Sequence, residues 1–378
     1  MTAGRTPLTL VFGFRDRDPA RIRRSLDSLA RQSFSDFRVV FVDYGSDAAT
    51  AVSIRSLVEG YEFCDYLYSD TRGLPWNRAR ALNTGARRAE SEFVMTTDID
   101  ILFPPDFLAT VIEEVSPAKV LYCYHHFLPK DFSDWDRFAG MQSSLRPAGK
   151  TALGPCQVVA TAVYHRLRGF DEYYRYWGIE DRDFHHRLTK AGLREVWVND
   201  RTAIYHQWHP PVDWETDGFM PDGLWPRMQT YFYRSRDRLV RNTESWGRLL
   251  APEDRPVFGF LDFESRSLLE DDRLERFDPR CDSGREAGKL VSAFWELPPG
   301  HALAVAGASF PGRRGWADGL LRLANGALRR AGTSTRIGYP PNVVHSFVAE
   351  LAESAADQLG DLYLDFPANG GVSLLVRA

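Results

Sequence analysis

Two short acidic motifs hold the residues of this sequence best suited to chemistry. Asp98 and Asp100 follow an apolar run and enclose one isoleucine, and Glu180 and Asp181 open a predicted helix. Paired carboxylates can hold a divalent cation or take a proton from a substrate. Acidic residues at a helix N-terminus are often only caps, because the helix dipole favours them there. Two such pairs in one chain instead suggest one active site, with a cation at one pair and proton transfer at the other.

Helical spacing follows the second acidic pair. Phe184, Leu188 and Ala191 recur at helical intervals, and Gly192 is placed to end the helix. Trp177 and Gly178 come directly before the acidic pair and add an aromatic face and backbone freedom. The helix dipole lowers the pKa of a carboxylate at this position. A general base there therefore needs burial to raise its pKa again.

Strands alternate with helices in the first hundred residues. Strands are predicted at Leu8–Phe14, Phe37–Val42, Cys64–Tyr68 and Glu92–Thr97, and helices after the Asp18-Pro19 cap and at Asn77–Ala89. This alternation predicts a mostly parallel sheet with helices on both faces. Ligands of such sheets bind beyond the carboxyl ends of the strands, which is where Asp43, Asp98 and Asp100 fall.

Basic and aromatic residues are expected at the same sheet edge. Arg15 and Arg17 leave the first strand, and Arg78 and Arg80 begin the helix of Asn77–Ala89. Positive charges placed there could neutralise a diphosphate, although arginines at helix ends are equally often only solvated. Trp76 could stack on a base or simply cover the sheet.

His206 is the candidate imidazole for a metal site with the aspartates. It follows the predicted strand Glu195–Val198 and the turn after it, and His209 is a competing ligand three residues later. Oxygen ligands suit a hard divalent cation, and an added imidazole shifts the preference toward manganese over magnesium. A purely structural role for His206 is the alternative.

Composition excludes several classes of protein. The net charge of -4, from 47 basic and 51 acidic residues, gives no basic field for nucleic acid. The four cysteines contain no C-x-x-C pair, which is typical of a reducing compartment. The sequence has no signal-peptide pattern and no transmembrane stretch of about 18 apolar residues, so we expect a cytoplasmic protein.

The length of 378 residues predicts two domains, residues 1–250 and 251–378. Residues 104–246 read as irregular and rich in aromatics, and 207–228 as one long loop that covers the substrate. The C-terminal domain is predicted to be a small α/β unit of unknown role, which closes with a strand pair at Asp361–Phe366 and Gly371–Val376.

Assembled in order, these motifs resemble the metal-dependent GT-A glycosyltransferases, which use nucleotide-sugar donors. The likeness is greatest to the β-1,4-galactosyltransferase group and to bacterial family 2 relatives such as chondroitin-type polymerases. It covers roughly residues 7–250. The matching segments are Phe14 to Arg17 (F-R-x-R), Trp76 to Gly85 (aromatic-N-R-A-K-x-L-N-x-G), Asp98 to Asp100 (D-x-D), Gly169 to Glu172 with Trp177 to Asp183 (G-F-D-E…W-G-x-E-D-x-D), and His206.

The resemblance implies transfer of a sugar, a hexose or an N-acetylhexosamine, from a UDP-sugar to the hydroxyl of a glycan, peptide or small-molecule acceptor. It implies that Asp100 and His206 bind Mn²⁺ or Mg²⁺, with Asp98 as a sugar or ribose contact or an alternative metal ligand. Asp181 would be the general base and Glu180 would orient hydroxyl groups, which implies inversion at the anomeric carbon. Donor contacts are implied for Phe14, Arg15, Arg17, Asp43, Trp76, Arg78, Asn83, Trp177 and Gly178.

Two departures from the family pattern stand out. Family 2 enzymes often read D-D-G-S where this chain has Asp43-Tyr44-Gly45-Ser46. The galactosyltransferase group has a methionine ligand three residues before its histidine, and this chain has Ala203 there. The metal therefore needs water or another ligand in place of that thioether.

Three other functions remain as alternatives. A nucleotidyltransferase would carry a glycine-rich phosphate loop after the first strand, and residues 14–18 contain no glycine. A retaining glycosyltransferase on the same fold would differ in the anomer of its product. A non-catalytic protein that binds a glycan or a nucleotide sugar would not need all of the candidate acidic residues and His206.

Overall fold

The computed structural model describes residues 6–71, 76–176, 178–210, 224–243, 245–250, 274–277, 283–306, 351, 359–363 and 372–377. The chain divides into two compact units. The first comprises Met1–Asp70, Trp76–Pro210 and Met228–Leu249, and the second comprises Thr71–Pro75, Pro211–Arg227 and Leu250–Ala378. The predicted boundary after residue 250 stays a prediction.

The first unit contains ten strands among its described residues: β1 (Leu8–Phe14), β2 (Phe37–Asp43), β3 (Cys64–Tyr68), β4 (Phe93–Thr97), β5 (Ile101–Leu102), β6 (Lys119–Tyr122), β7 (His125–Phe127), β8 (Cys156–Ala160), β9 (Arg194–Trp197) and β10 (Ile204–His206). The helices are α1 (Pro19–Ala30), α2 (Ala48–Val58), α3 (Arg78–Ala86), α4 (Phe107–Glu114), α5 (Thr161–Leu167) and α6 (Glu180–Lys190), and α7 (Leu224–Ser235) follows them. A short 3-10 turn lies at Met141–Ser144.

Seven strands form the main sheet in the order β3-β2-β1-β4-β8-β6-β9. Every neighbouring pair is parallel except those of β8, which runs antiparallel to β4 and to β6. Strands β1 and β4 are buried along almost their whole length, as expected for a sheet covered on both faces. The predicted α/β class with a mostly parallel sheet is confirmed.

Local sequence signals explain the first elements. Asp18 caps α1 by accepting a hydrogen bond from the Ala20 backbone N–H, and Pro19 is the first helical residue. Asn77 caps α3 in the same way, by accepting from the Arg80 N–H at 2.8 Å. Both predicted helix starts are confirmed, because a polar cap satisfies N–H groups that the helix itself cannot pair.

Residues 104–246, where the sequence pattern is more irregular, contain short elements, among them the predicted helix after Glu180 and the predicted strand near Glu195. This region contains β6 to β10 and α4 to α7, most of them eight residues or shorter. The predicted loop at 207–228 extends too far, because α7 begins at Leu224. This helix buries Met228 and Phe232, which lie one helical turn apart. Residues 211–223 of that loop lie outside the described residues.

The second unit contains β11 (Leu274–Phe277), α8 (Ser283–Glu296), β12 (Ala302–Ala306), β13 (Leu359–Tyr363) and β14 (Val372–Arg377). Its four strands form a sheet in the order β11-β12-β14-β13. The two last strands pair antiparallel, which confirms the predicted closing strand pair. Within the described residues this unit is a small α/β fold.

A buried ion pair between Arg187 and Asp183 connects α6 to neighbouring loops. Arg187 donates to the Asp183 carboxylate at 2.7 Å and to the Gly169 carbonyl at 2.7 Å, and both charged side chains have no exposed surface. Arg241 is a second cation for Asp183 at 3.4 Å. Asp183 therefore has a structural role, since its charge is balanced by two buried arginines.

Replacing Arg187 by methionine is expected to lower the free energy of unfolding by about 3 kcal/mol, because it leaves the Asp183 carboxylate buried with only the more distant Arg241. Urea denaturation would measure the change. Arg23→Met, on the exposed face of α1, is the control and should change stability by less than about 0.5 kcal/mol. Equal stability of the Arg187 variant and the wild type would contradict the prediction.

Candidate active site

The carboxyl ends of β1, β2 and β4 lie at one edge of the main sheet because these strands are parallel. Arg15 follows β1, Asp43 ends β2, and Asp98 follows β4. The structure therefore brings these three predicted residues to the same edge. Asp100 lies two residues beyond Asp98, directly before β5.

Arg15 and two aromatic rings form one layer at this edge. The Arg15 Nε donates to the Tyr44 carbonyl at 2.6 Å, and its guanidinium lies 5.0 Å from the Tyr44 ring centre and 5.9 Å from that of Trp76. The Trp76 ring meets Tyr44 edge to face at 5.7 Å. Trp76 is half-buried, so part of it remains open to a ligand. Arg17, by contrast, is exposed, and the charges of Asp100 and Asp98 act on its guanidinium.

Two of the residues predicted to contact the donor, Asp43 and Phe14, have buried side chains that contact other parts of the protein. Asp43 has no exposed surface, and its two oxygens accept from the Ser46 N–H at 2.8 Å and from the Tyr66 hydroxyl at 2.7 Å. Burial raises the pKa of Asp43. Phe14 is 1% exposed and packs against core aromatics. The donor contacts of Phe14 and Asp43 stay predictions, and both side chains are buried in this structure.

Asn83 is likewise a structural residue. Its amide nitrogen donates to the Phe170 carbonyl and to Glu172, and its amide oxygen accepts from the Tyr164 hydroxyl and the Phe170 N–H. These four bonds use its whole hydrogen-bonding capacity, and the side chain is fully buried. The predicted donor contact of Asn83 stays a prediction, and in this structure the side chain joins α3 to the segment before α6.

Arg78 connects the two acidic motifs. Its Nε and Nη2 donate to Asp98 at 3.0 and 2.7 Å, and Nη2 also donates to the Gly154 carbonyl. Its Nη1 lies 3.6 Å from the Glu180 carboxylate. Burial alone would lower the pKa of Arg78, but the carboxylates of Asp98, Glu180 and Asp181 raise it. The arginine that the sequence assigns to the donor thus faces three carboxylates.

Asp98 is held in its ionised form by that arginine. Burial alone would raise the pKa of Asp98, but the Arg78 guanidinium lowers it below the usual value. The Asp98 side chain keeps 35% of its surface exposed. It can therefore still accept a hydrogen bond from a ligand, while its charge is balanced by Arg78.

The segment before α6 has an unusual backbone. Tyr176, Gly178 and Ile179 all have positive φ angles, and for the β-branched Ile179 this conformation is strained. Such strain is found where the surrounding structure fixes a local geometry, often at functional sites. Glu180 is the first residue of the helix that follows. Trp177, the predicted sugar-stacking residue, lies outside the described residues.

Glu180 and Asp181 have the elevated pKa that the sequence argument required of a base. Burial and the neighbouring Asp181 raise the pKa of Glu180 to about 7, against the opposing charge of Arg78. Burial also raises the pKa of Asp181. The Asp181 Oδ1 accepts from the Arg182 N–H at 2.7 Å. Burial outweighs the effect of the helix N-terminus, so this pair titrates closer to neutrality than ordinary carboxylates.

Asp100, His206 and His209 form the three-residue cluster with metal-ligating geometry within the described part of the chain, since one ligand atom of each lies within 4.8 Å of the others. A small sheet brings Asp100 and His206 together. Strand β10 runs antiparallel to β5, with His206 opposite Ile101, and the Gln207 N–H donates to the Asp100 carbonyl. This donor set suits a divalent cation.

The sequence reasoning missed His125. It lies in β7 beside β10, and its ring centre is 4.9 Å from that of His206. Both ring nitrogens are buried without a hydrogen-bond partner among the described residues, and burial lowers the pKa of His125 to about 3. It is therefore a neutral ring that packs against His206. No sequence signal separates it from the adjacent His126, because the pairing of β7 with β10 is visible only in the structure.

The mostly parallel sheet, with carboxylates and basic residues at its carboxyl edge, has the predicted GT-A fold. Residues 14–196 match the family described as glycosyl transferase family 2. These residues form a glycosyl transferase family 2 domain, and the chain carries the site residues described above within or directly after it.

Known proteins similar to this chain include glycosyltransferases. A validoxylamine A glucosyltransferase of Streptomyces hygroscopicus subsp. limoneus is 28% identical over 50% of this chain and 50% of its own length. TarS of S. aureus bound to UDP-GlcNAc is 17% identical with a TM-score of 0.47, over 97% of this chain and 99% of that chain. The mannosyltransferase PcManGT of Pyrobaculum calidifontis, bound to GDP-Man and Mn²⁺, is 18% identical with a TM-score of 0.42, over 94% and 87%.

This chain spans about half the length of the curated relatives that it matches. None of the helices within the described residues combines the length and the apolar character needed to span a membrane.

Proposed function

We propose that this chain is a metal-dependent glycosyltransferase that moves a sugar from a UDP-sugar to an acceptor hydroxyl with inversion. The observation that carries the proposal is the position of Arg78, which lies between Asp98 of the D-x-D motif and Glu180 of the second acidic pair. This contact joins both acidic motifs in one site. Asp100, His206 and His209 supply ligands suited to Mn²⁺ or Mg²⁺ beside it.

The chemistry requires a stronger nucleophile and a stabilised leaving group. A cation bound at Asp100 and His206 would neutralise the negative charge of the departing diphosphate. The acceptor oxygen would bond to the anomeric carbon while the bond from that carbon to the diphosphate oxygen breaks. The acceptor proton would pass to the free carboxylate oxygen of Asp181. One displacement of this kind inverts the anomeric configuration.

Neighbouring residues would position the reactants. Asp98 remains partly exposed and ionised, so it can accept hydrogen bonds from the donor ribose or sugar. Glu180 would orient hydroxyl groups, and the neighbouring Asp181 helps to raise the pKa of Glu180. Arg15 and the open part of Trp76 would contact the nucleotide. Arg17 would lie near the diphosphate, since it faces Asp100.

The curated relatives guide the choice of substrates. Both are named as glucosyltransferases that act on validoxylamine A. Glucosyl donors, with validoxylamine A as acceptor, are therefore the first candidates, ahead of glycans and peptides. The test is a screen of UDP- and GDP-sugars for Mn²⁺-dependent hydrolysis, followed by NMR of the product formed with candidate acceptors. Absence of hydrolysis and transfer with every donor would reject the proposal, and a retained anomer would reject inversion.

The pH profile should report the Glu180–Asp181 pair. The base works when it is deprotonated, so the rate should rise with pH through an acid limb near the pair's elevated pKa, about 7 for Glu180. Glu180→Gln removes the member of the pair whose pKa is raised to about 7, so the limb should move to lower pH.

The profile of kcat/KM between pH 5 and 9 measures this shift. Glu59→Gln, at the exposed end of α2, is the control and should leave the limb in place. A limb that does not move in Glu180→Gln would mean that the two carboxylates do not titrate together.

A further inference from the structure

The short segment His206–His209 carries two imidazoles next to one carboxylate. The His206 Nε2 lies 3.6 Å from one oxygen of Asp100, and the His209 Nε2 lies 3.4 Å from the other oxygen. The two imidazole ring centres are 5.1 Å apart. Both histidines thus present the same ring atom to the same carboxylate, from two directions.

These separations fit ligands of one shared cation. Two ligand atoms about 2.1 Å from an ion, at angles between octahedral and tetrahedral values, are roughly 3.0 to 3.4 Å apart. The observed separations of 3.4 and 3.6 Å lie at or just beyond the upper end of that range. They are also longer than ordinary hydrogen bonds. The cluster is therefore closer to a ligand set than to a pair of direct hydrogen bonds.

The tautomer of His209 is also that of a metal ligand. Its Nδ1 lies 2.8 Å from the Pro210 carbonyl oxygen, which can only accept a hydrogen bond. The Nδ1 atom therefore carries a hydrogen and donates it, which leaves Nε2 as the ring atom directed at Asp100. Histidine ligands of metals commonly have this arrangement, with the second nitrogen fixed by a backbone carbonyl.

We propose that His209 is the third protein ligand of the cation, together with Asp100 and His206. This inference rests on the proposed metal-dependent function and concerns which residues of this chain hold the metal. His209 replaces the methionine that the galactosyltransferase group has at the position of Ala203. Ala203 packs in an apolar cluster with Leu102 and Tyr205, and its side chain offers no ligand atom.

Gln207 holds the two histidines in place. It is buried, and its backbone N–H donates to the Asp100 carbonyl. Its side-chain amide donates to the Arg21 carbonyl at 3.0 Å and accepts from Arg24 at 3.4 Å, both on α1. The residue between the ligands is thus fixed to the Asp100 segment and to a helix of the core. This anchoring keeps both imidazoles near Asp100 before a metal binds.

The donor set also selects the type of metal. Two imidazoles and one carboxylate favour first-row transition ions, whereas Mg²⁺ prefers an all-oxygen shell and keeps its waters. We therefore expect Mn²⁺ and Co²⁺ to bind this cluster more tightly than Mg²⁺, with Co²⁺ tighter than Mn²⁺.

The test measures metal binding directly, without a donor. The full chain, freed of metal by a chelator, is titrated with Mn²⁺ and with Co²⁺ by calorimetry, and competition with Mg²⁺ gives the selectivity. His209→Ala should weaken Mn²⁺ binding by at least about 10- to 100-fold, the usual effect of removing a residue that only hydrogen-bonds to a metal ligand. His206→Ala should weaken it by at least as much. His301→Ala, in the second unit, removes a histidine outside the cluster and should bind Mn²⁺ as the wild type does.

The outcomes separate this inference from the proposed function. If His209→Ala binds Mn²⁺ as tightly as the wild type while His206→Ala binds it more weakly, His209 is not a ligand. The proposed metal-dependent function would still stand. Absence of Mn²⁺ binding in the wild type, together with metal-independent transfer, would overturn both. His209→Gln provides a second, milder variant, and thermal unfolding of the metal-free proteins shows whether each variant is folded. A loss of Mn²⁺ affinity in both His209 variants, with unchanged thermal unfolding of the metal-free proteins, supports His209 as a metal ligand.

Discussion

Replacing Asp181 by asparagine is expected to lower turnover by about 100- to 10,000-fold, the usual contribution of a positioned acid–base group. Asparagine has the same size, and its side-chain oxygen can still accept the hydrogen bond from the Arg182 N–H. It cannot take up the acceptor proton at neutral pH. The loss should therefore appear in kcat more than in KM, as expected for an interaction that forms in the transition state.

Binding measurements separate this role from a structural one. Donor affinity and Mn²⁺ affinity of Asp181→Asn should match those of the wild type, because neither ligand is assigned to this side chain. Asp131→Asn, a change of the same type at an exposed position, should keep full activity. Normal turnover of Asp181→Asn would make Asp181 a helix cap only. The base would then be Glu180, since Asp183 is buried in its ion pair with Arg187.

The surroundings of the two carboxylates favour Asp181 over Glu180 as the base. Glu180 is 8% exposed and faces the Arg78 guanidinium, which holds it within the site. Asp181 is less buried, and its Oδ2 borders the space above Gly154, where an added Cβ atom would lie 3.5 Å from that oxygen. A glycine at this position leaves room for a substrate atom beside the carboxylate. The sequence alone did not single out Gly154, because nothing adjacent to it in the chain indicates a site.

Strands β1, β2 and β4 of the main sheet were predictable because they are mostly apolar runs. Strands β1 and β3 have the predicted bounds, and β2 extends one residue further, to Asp43. In a sheet covered on both faces every residue of a strand is buried, so a plain apolar run is a sufficient signal. The caps Asp18 and Asn77 were predictable for a local reason, since their side chains bond to N–H groups only two or three residues away.

The short elements between residues 104 and 246 were not predictable in the same way. Helices α4 and α5 have eight and seven residues, and β7 and β10 have three each. Elements of this length show barely one period of a helical or strand pattern. They are fixed by tertiary pairing, as β10 is by its two neighbours in the small sheet.

The family motifs do not separate side chains that face the acidic residues from side chains that hold the elements together. Asn83 lies in a matching motif, yet its four hydrogen bonds join α3 to residues near 170. Arg78 lies in the same motif and faces the site. The two residues differ in the face of α3 on which they lie and in the packing around them. A motif records only which residue types occur, so this difference required the structure.

Removal of the cation is expected to reduce transfer by about 1,000-fold or more. A Lewis acid at a leaving diphosphate supplies several kcal/mol of transition-state stabilisation, and each 1.4 kcal/mol or so corresponds to a factor of ten. A chelator should abolish activity, and Mn²⁺ should restore it at least as well as Mg²⁺, because imidazole ligands favour manganese. Rates at saturating donor, with and without each ion, measure this effect. Full activity in a metal-free preparation would reject the proposed metal dependence.

The variants of the cluster should rank by the charge of the ligand that they remove. Asp100→Ala removes the one anionic ligand of the cluster, whereas His206→Ala removes a neutral ring, so Asp100→Ala should lose more activity and more Mn²⁺ affinity. Asp106→Ala, an exposed aspartate before α4 whose side chain makes no cap hydrogen bond, is the matched control and should remain active. If His206→Ala were the weaker enzyme, with both variants folded, His206 would be the primary ligand. Asp100 would then act mainly by orienting the two imidazoles, whose Nε2 atoms face its two oxygens.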